Sequence, residues 1–270
     1  MKSSEGRPTI LITNDDGITA AGLLALKEAL DGIGRTVVFA PDRNWSAASR
    51  TRTFHKPLRV DRVPLLDGDI GHATSGTPSD CVSLALLGLL SERPALIVSG
   101  INAGLNLGRD VSYSGTVAAA MEGARSGIPA IAVSYDTVRA PNDDLDYTRA
   151  AAFASRLAAF LLQRPPLPPG ILLNVNVPYS PSGRKLEARL TRLGGEAYSN
   201  YLVTGRDPHG REYYWITGDP LDGPAAGGQG TDIEAISEGY VSITPIHLDM
   251  TEHALLSELR SWEGELQLPG

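Results

Sequence analysis

The sequence predicts an α/β fold: a Rossmann-like, mostly parallel sheet with helices on both faces, a C-terminal β-hairpin arm and a terminal helix. Short apolar, β-branched runs recur at 9–13, 36–40, 95–99, 129–134 and 171–177, each closed by turn residues, as in strands buried on both faces. Stretches with helical spacing separate them, the alternation of a helix-covered parallel sheet. Past a proline-rich connector at 164–170 the pattern changes to strand-like alternation and glycine-rich loop. That change suggests a division: residues 1–170 form the core that carries the functional edge. Residues 171–270 complete the sheet and supply the arm and final helix for oligomerisation.

The chain of 270 residues is long enough for a full core in one large unit. A net charge of −7 and a pI near 5.3 argue against nucleic acid or an anionic membrane surface as the partner. The opening residues 1–8 lack the apolar stretch of a secretory leader, and no run long enough for a membrane span occurs. The single cysteine permits no internal disulfide, which agrees with a cytoplasmic location. Cys81 follows Asp80 inside an apolar helical pattern and reads as core.

In Thr9-Ile10-Leu11-Ile12-Thr13-Asn14-Asp15-Asp16-Gly17 an apolar run stops at two carboxylates and a glycine. Ligands of parallel sheets bind at the carboxyl ends of strands. Unpaired carboxylates this close raise each other's pKa unless a cation sits between them; the simpler alternative makes them caps of the next helix. That helix spans 20–30 with a glycine stop at Gly32. The strand at 36–40 follows through a right-handed crossover, so its carboxyl end lies beside the first. The next loop, Arg43-Asn44-Trp45-Ser46-Ala47-Ala48-Ser49, is small and polar, of a kind that serves function more than packing.

Residues 55–69 read as irregular, with short extended pieces. Thr77 caps a helix to about Leu90, with Pro78 in the first turn and Asp80 closing a capping box. The strand at 95–99 spills into a glycine- and asparagine-rich run from Gly100 to Gly108, which lets the backbone approach a ligand. Ser114-Gly115-Thr116 opens a helix ending at Ser126-Gly127, and its free N–H groups make an anion site. A long amphipathic helix occupies 145–163. Beyond the connector, 185–193 and 211–216 alternate like antiparallel strands, 218–231 reads as loop, 240–244 as strand and 251–262 as a last helix.

Three loops at one edge therefore offer Asp15 and Asp16, Ser46, and Asn102, all oxygen donors. With no histidine among them, zinc is disfavoured, and Mg²⁺, Mn²⁺ or Ca²⁺ suits the set. One such ion per subunit beside a helix N-terminus supports metal-assisted hydrolysis of a phosphate, with Asp15 and Asp16 as the catalytic pair. Around them, Asn44 either touches phosphate or braces its loop. Asn106 and Gly108 shape the pocket wall on the substrate side. Ser114, Gly115 and Thr116 contact phosphate or form an ordinary N-cap. Other phosphate chemistries fail on motif: there is no G-x-G-x-x-G, no P-loop and no G-x-S-x-G elbow. A haloacid-dehalogenase nucleophile is blocked by Asn14, and a receiver domain lacks its phosphoacceptor aspartate and its lysine.

Asn14-Asp15-Asp16-Gly17, Ala40-Pro41-Asp42, Gly76-Thr77-Pro78 with Asp80-Cys81-Val82, and Ser99-Gly100-Ile101-Asn102 occur in that order. Ser114 to Glu122 and Gly239-Tyr240-Val241-Ser242-Ile243-Thr244-Pro245 follow. The set, spanning about 9–250, resembles the SurE family of stationary-phase survival proteins. The resemblance implies a divalent-metal 5′-nucleotidase acting on nucleoside monophosphates, with the ion on residues matching Asp15, Asp16, Ser46 and Asn102. It leaves 3′-nucleotides and short polyphosphate open as further substrates. It also implies a homodimer with exchanged C-terminal arms and leaves further pairing into tetramers open. Ala47 stands where many members carry glycine and is expected to matter little. A nucleotide-binding scaffold that keeps the metal site but turns over slowly is the alternative.

Overall fold

The computed structural model describes residues 6–140, 145–180, 185–220 and 228–266. Residues 1–5, on which part of the leader reading rests, and 221–227 of the glycine-rich loop lie outside the described residues. Among the described residues, eleven strands and six α-helices follow one another in chain order. β1 (Thr9–Thr13), α1 (Ala21–Asp31) and β2 (Arg35–Pro41) form the first crossover unit, and β1 and β2 pair in parallel. β5 (Leu96–Ala103) pairs in parallel with the other side of β1, and β6 (Ala130–Tyr135) and β7 (Ile171–Val177) continue outward. Because the chain moves to one side of β1 through α1 and later returns to the other, the sheet reverses its order between β1 and β5. Crevices at such points are where open α/β sheets bind ligands.

β3 (Val60–Pro64) and β4 (Ile70–Thr74) extend the sheet beyond β2. β11 (Val241–His247), antiparallel to β7, and the short β8 (Ala188–Leu190) close the far side. The order is β3-β4-β2-β1-β5-β6-β7-β11-β8. Alternation along β1 divides the core between the two faces, since successive side chains point oppositely. Ile10 and Ile12 pack under α1 and α4 (Thr148–Leu162) with Leu23, Leu26 and Ala154. Leu11 faces α2 (Pro78–Leu84) and α3 (Gly115–Arg125) with Cys81, Val82, Val117 and Ala120. The fold class expected from the sequence is the one observed, and Cys81 is core.

Several boundaries differ. β4 was expected as neither strand nor part of the sheet; its Gly71 and His72 break the apolar pattern, and pairing with β2 makes it a strand. β5 runs on through Gly100 and Ile101 with a register shift between Ser99 and Asn102. Gly100, at φ 140°, leaves room where a Cβ would lie 2.4 Å from the Val133 carbonyl oxygen. Gly32 does not supply a left-handed stop, because its φ is −64° and the helix ends in a further turn. The capping box on α2 is as expected: Thr77 and Asp80 bond each other's backbone N–H.

One strand of the hairpin is the predicted one at 211–216, and the other is not the stretch at 185–193. β9 (Tyr198–Arg206) pairs with β10 (Glu212–Pro220), whereas the alternating stretch at 185–193 contributes only β8, on the main sheet. Gly218 to Pro220, read as loop, finish β10. α5 (Asp232–Ser237), unexpected, follows, and the last helix is α6 (His253–Leu259) with a 3₁₀ turn to Gly264. Among the described residues no helix is long and apolar enough to cross a membrane.

Candidate active site

The turn after β1 is framed by Asn14, whose side chain closes a ring across the aspartates. Its Nδ2 donates to the Gly17 carbonyl at 2.9 Å and its Oδ1 accepts the Gly17 N–H at 3.2 Å. Asp15 is 3 % exposed and Asp16 half-buried. The loop after β2 is tied to this turn twice. The Trp45 N–H donates to the Asp15 carbonyl at 2.8 Å, and Asn44 Nδ2 to Asp16 Oδ1 at 3.3 Å. Asn44 also accepts the Ser46 N–H at 2.7 Å, so it both braces its loop and reaches the acidic pair. Ser46 itself is exposed, two residues past Asn44 in the same loop.

Across the crevice, the Ala103 N–H donates to Asp16 Oδ2 at 3.1 Å, which brings the end of β5 and Asn102 to the same place. Asn102 Nδ2 is engaged by the Gly104 carbonyl at 2.8 Å. One amide N–H is thus used within the loop, and no hydrogen bond to the side-chain oxygen is seen among the described residues. The start of α3 closes the third side. Thr116 donates its hydroxyl to Asp15 Oδ1. A Cβ on Gly115 would lie 2.8 Å from Asp15 Oδ2, so only glycine lets the helix start approach so closely.

Burial pushes the Asp15 carboxyl up to about 6, the Asp16 charge adds to the rise, and the Thr116 hydroxyl and amide hold it down. Burial likewise raises Asp16, opposed by the Ala103 amide. Among the described residues no lysine, arginine or histidine pairs with either carboxylate. A buried carboxylate beside a second one, with only oxygen donors converging, fits a hard divalent cation.

The remaining predicted residues have defined tasks. Ser114 caps α3, its Oγ accepting the Val117 N–H at 3.1 Å. Thr116 is committed to Asp15, leaving Gly115 as the backbone facing the pair. Asn106 is held on three sides: its Nδ2 donates to Ser134 at 2.7 Å, its N–H to Asn176 Oδ1 at 2.8 Å, and its carbonyl accepts from Asn174 and Asn176, each at 2.9 Å. The Gly108 N–H donates to Asp232 Oδ2 at 2.8 Å. Asp232, fully buried, also accepts the Gly194 N–H at 2.8 Å and so staples the glycine-rich run to the C-terminal part. The sequence carried a signal for it, since Thr231 with Glu234 is a helix-start pattern, and Thr231 does cap α5.

A second acidic group was not anticipated. Asp31, Asp67 and Asp69 stand close enough to share one cation. Lys27 Nζ already lies among them, at 2.9 Å from Asp31 and 2.6 Å from each of the other two.

The family model for survival protein SurE matches residues 10–200. The chain belongs to the SurE family. It is 49 % identical over 257 residues to the 5′-nucleotidase SurE of Chloroflexus aggregans, covering 95 % of this chain and 99 % of that one. To that of Herpetosiphon aurantiacus it is 51 % identical over 242 residues, with 90 % and 93 % covered. The crystal structure of the SurE protein from Aquifex aeolicus superposes with a TM-score of 0.80 at 37 % identity, over 95 % of this chain and 100 % of that one. In this chain the Asp15–Asp16 turn follows β1, at the point between β1 and β5 where the sheet order reverses.

Proposed function

We propose that this enzyme hydrolyses nucleoside 5′-monophosphates to nucleoside and phosphate, using one divalent cation held by Asp15, Asp16, Ser46 and Asn102. The observation that carries the proposal is a buried aspartate with a raised pKa and no cationic partner among the described residues, packed against the start of α3. Names of the family's nucleotidases supply the substrate class. Mg²⁺ or Mn²⁺ is the favoured ion, because the donors are hard oxygens.

Such an ion supplies Lewis-acid polarisation of the phosphoryl group. Asp15, aimed by Thr116, provides the charge that retains it. Asp16, its two oxygens steadied by Asn44 and the Ala103 amide, is placed to orient the attacking water and accept its proton. Ser46 and Asn102 are neutral, so they shape the coordination without cancelling the ion's charge. The N–H of Gly115, at the start of an eleven-residue helix, takes a phosphate oxygen.

The division at about residue 170 and the oligomer belong to the same proposal. The β9–β10 ribbon stands off the main sheet with Leu202, Trp215 and Ile216 exposed at 58, 66 and 83 %. An isolated two-stranded ribbon is marginal in water, which supports its burial against a second copy in a homodimer, with tetramers formed by further pairing. A cytoplasmic location accords with the single reduced cysteine.

The test is phosphate release from a panel of nucleoside 5′- and 3′-monophosphates, ATP and polyphosphate after EDTA treatment, then with Mg²⁺ or Mn²⁺ restored. Metal-dependent release with AMP preferred over ATP is expected, since the four oxygen donors hold one ion and no cationic side chain is assigned to further phosphates. Tight nucleotide binding without release, or equal turnover of ATP, would overturn the proposal.

A further inference from the structure

Glu122 lies two turns along α3 from the contact between Gly115 and Asp15, is 1 % exposed, and has no part in the site described above. A carboxylate this buried is retained only when paired, and three guanidinium groups face it. Arg125 donates to Glu122 Oε1 from Nε at 2.9 Å, an ordinary i,i+3 contact on one helix. The other two come from the segment that leaves the Ser46 loop. Arg50 Nη2 stands 3.8 Å from Oε2, and Arg52 Nη2 stands 3.8 Å from Oε1. Glu122 Oε2 is buried with no hydrogen bond, so the guanidinium of Arg50 is its nearest compensation among the described residues.

That segment needs to be held. Ala47 and Ser49 sit at φ 58° and 53°, a conformation that non-glycine residues keep only when their surroundings impose it. Ser49 donates its N–H to the Tyr113 carbonyl at 3.0 Å and its hydroxyl to the Ser112 carbonyl at 2.8 Å, just before α3. Further along, the Thr51 carbonyl accepts from Thr77 at 2.7 Å, and the Thr53 N–H reaches Asp80 at 3.0 Å. Arg52 also donates to Ser83 at 2.8 Å. These restraints fix the two ends of the stretch 49–53. Glu122 adds the charged restraint between them, from the helix whose first turn packs on Asp15.

We propose that Glu122 is a positioning residue: by pairing Arg50 and Arg52 it locks residues 44–54 onto α3, so that one rigid unit presents Ser46 and Asp15 to the cation. This rests on the metal site proposed above. The consequence is that loop order and cation affinity are linked through a residue that touches neither ion nor substrate.

Two measurements on the full chain test it: amide hydrogen exchange by mass spectrometry on the metal-free protein, and Mn²⁺ affinity from the electron paramagnetic signal of the free ion. Glu122→Gln, and Arg50→Ala with Arg52→Ala, should speed exchange within 44–54 while leaving the central strands protected. The same variants should weaken Mn²⁺ binding about tenfold, the usual scale for partners behind metal ligands. Arg50→Lys with Arg52→Lys should restore most of the affinity. If Glu122→Gln does not fold, the half-exposed arginines give the same reading. Unchanged Mn²⁺ affinity in the arginine variants overturns the proposal, as does exchange that quickens throughout the sheet. Asp15→Asn is the control: full Mn²⁺ binding there sinks the metal site itself, whereas loss there with intact affinity in the arginine variants sinks only the role of Glu122.

Discussion

At the amino ends of the strands, Asp31, Asp67 and Asp69 close around the ammonium of Lys27. At the carboxyl ends, Asp15 and Asp16 stand side by side with no such group among the described residues. Burial alone would lower the pKa of Lys27, but hydrogen bonds to Asp67, Asp69 and Asp31 outweigh it and raise it. Burial works to raise Asp67 as well, yet Lys27 and the Asp69 amide carry it below the ordinary value. Asp15 and Asp16 move the other way, upward, because their hydrogen bonds offset burial only in part. Proximity of carboxylates is therefore a poor guide to a metal site. The acid group that contains its own cation is a staple between α1 and the β3–β4 turn; the one that lacks a cation is where an external ion gains most.

Emptying the second group of charge should do the greatest damage to function. Asp15→Asn keeps the size and removes the buried charge, so phosphate release at low Mn²⁺ should fall ~10²–10³-fold, as when a catalytic electrostatic element is lost. Near-normal activity would place the site elsewhere. Metal-free Asp15→Asn should be at least as stable to heat as the parent, because the repulsion between neighbouring carboxylates is gone.

Removing the built-in cation from the first group should convert it toward the second. Lys27→Met retains an apolar stem and leaves three carboxylates facing one another. Unfolding in urea should show a loss of ~1 kcal/mol, the upper end for ion pairs open to solvent, because Lys27 is buried while its carboxylates are exposed. Millimolar Ca²⁺ should then recover stability in this variant and not in the parent. A variant as stable as the parent and indifferent to Ca²⁺ would erase the distinction between the two groups.

Acidity separates them again. The folded chain holds the Asp15 proton up to about pH 6, against 3.8 for the free side chain. Metal-free protein should therefore lose stability, by ~2 kcal/mol, as pH rises across that interval. Saturating Mn²⁺ or Asp15→Asn should flatten the slope. Asp67, shifted down, contributes in the opposite sense: its stabilisation is present above the unfolded value and is lost as pH falls through the folded one. Melting temperatures of the EDTA-treated protein from pH 3 to 7 check both signs, and a stability that climbs through the interval would contradict the reading of Asp15.

The smallest effects belong to the neutral donors. Ser46→Ala and Asn102→Ala should each weaken Mn²⁺ binding about tenfold, with added metal recovering most of the activity. A loss that added metal cannot repair would mean that these side chains act on substrate instead.

The sheet and its functional edge were legible in the chain itself; the Lys27 group was not. β-branched runs ending at acids, glycines and small polar loops marked the buried parallel strands and their carboxyl edge. Asp15, Asp16, Ser46 and Asn102 were singled out because each follows such a strand. The Thr77–Asp80 capping box and the core role of Cys81 were local enough to read directly. These features depend on contacts within a few residues, or on a period that burial on one or both faces imposes.

What the sequence alone did not decide is pairing over long separations. Thr116 could cap its helix or bind phosphate, and only the approach of α3 to β1, 101 residues apart, commits its hydroxyl to Asp15. Alternation marked 185–193 and 211–216 as strands without deciding what each pairs with, because register is chosen by the surfaces that strands meet; the partner of β10 is 198–206. Lys27 sits four residues from Asp31, a visible helical pair, yet its enclosure by Asp67 and Asp69 waits on a turn 40 residues later. Local chemistry specifies which side chains can hold a charge; the tertiary fold decides which charges already have a partner, because desolvation and pairing are properties of neighbours that the chain brings from afar.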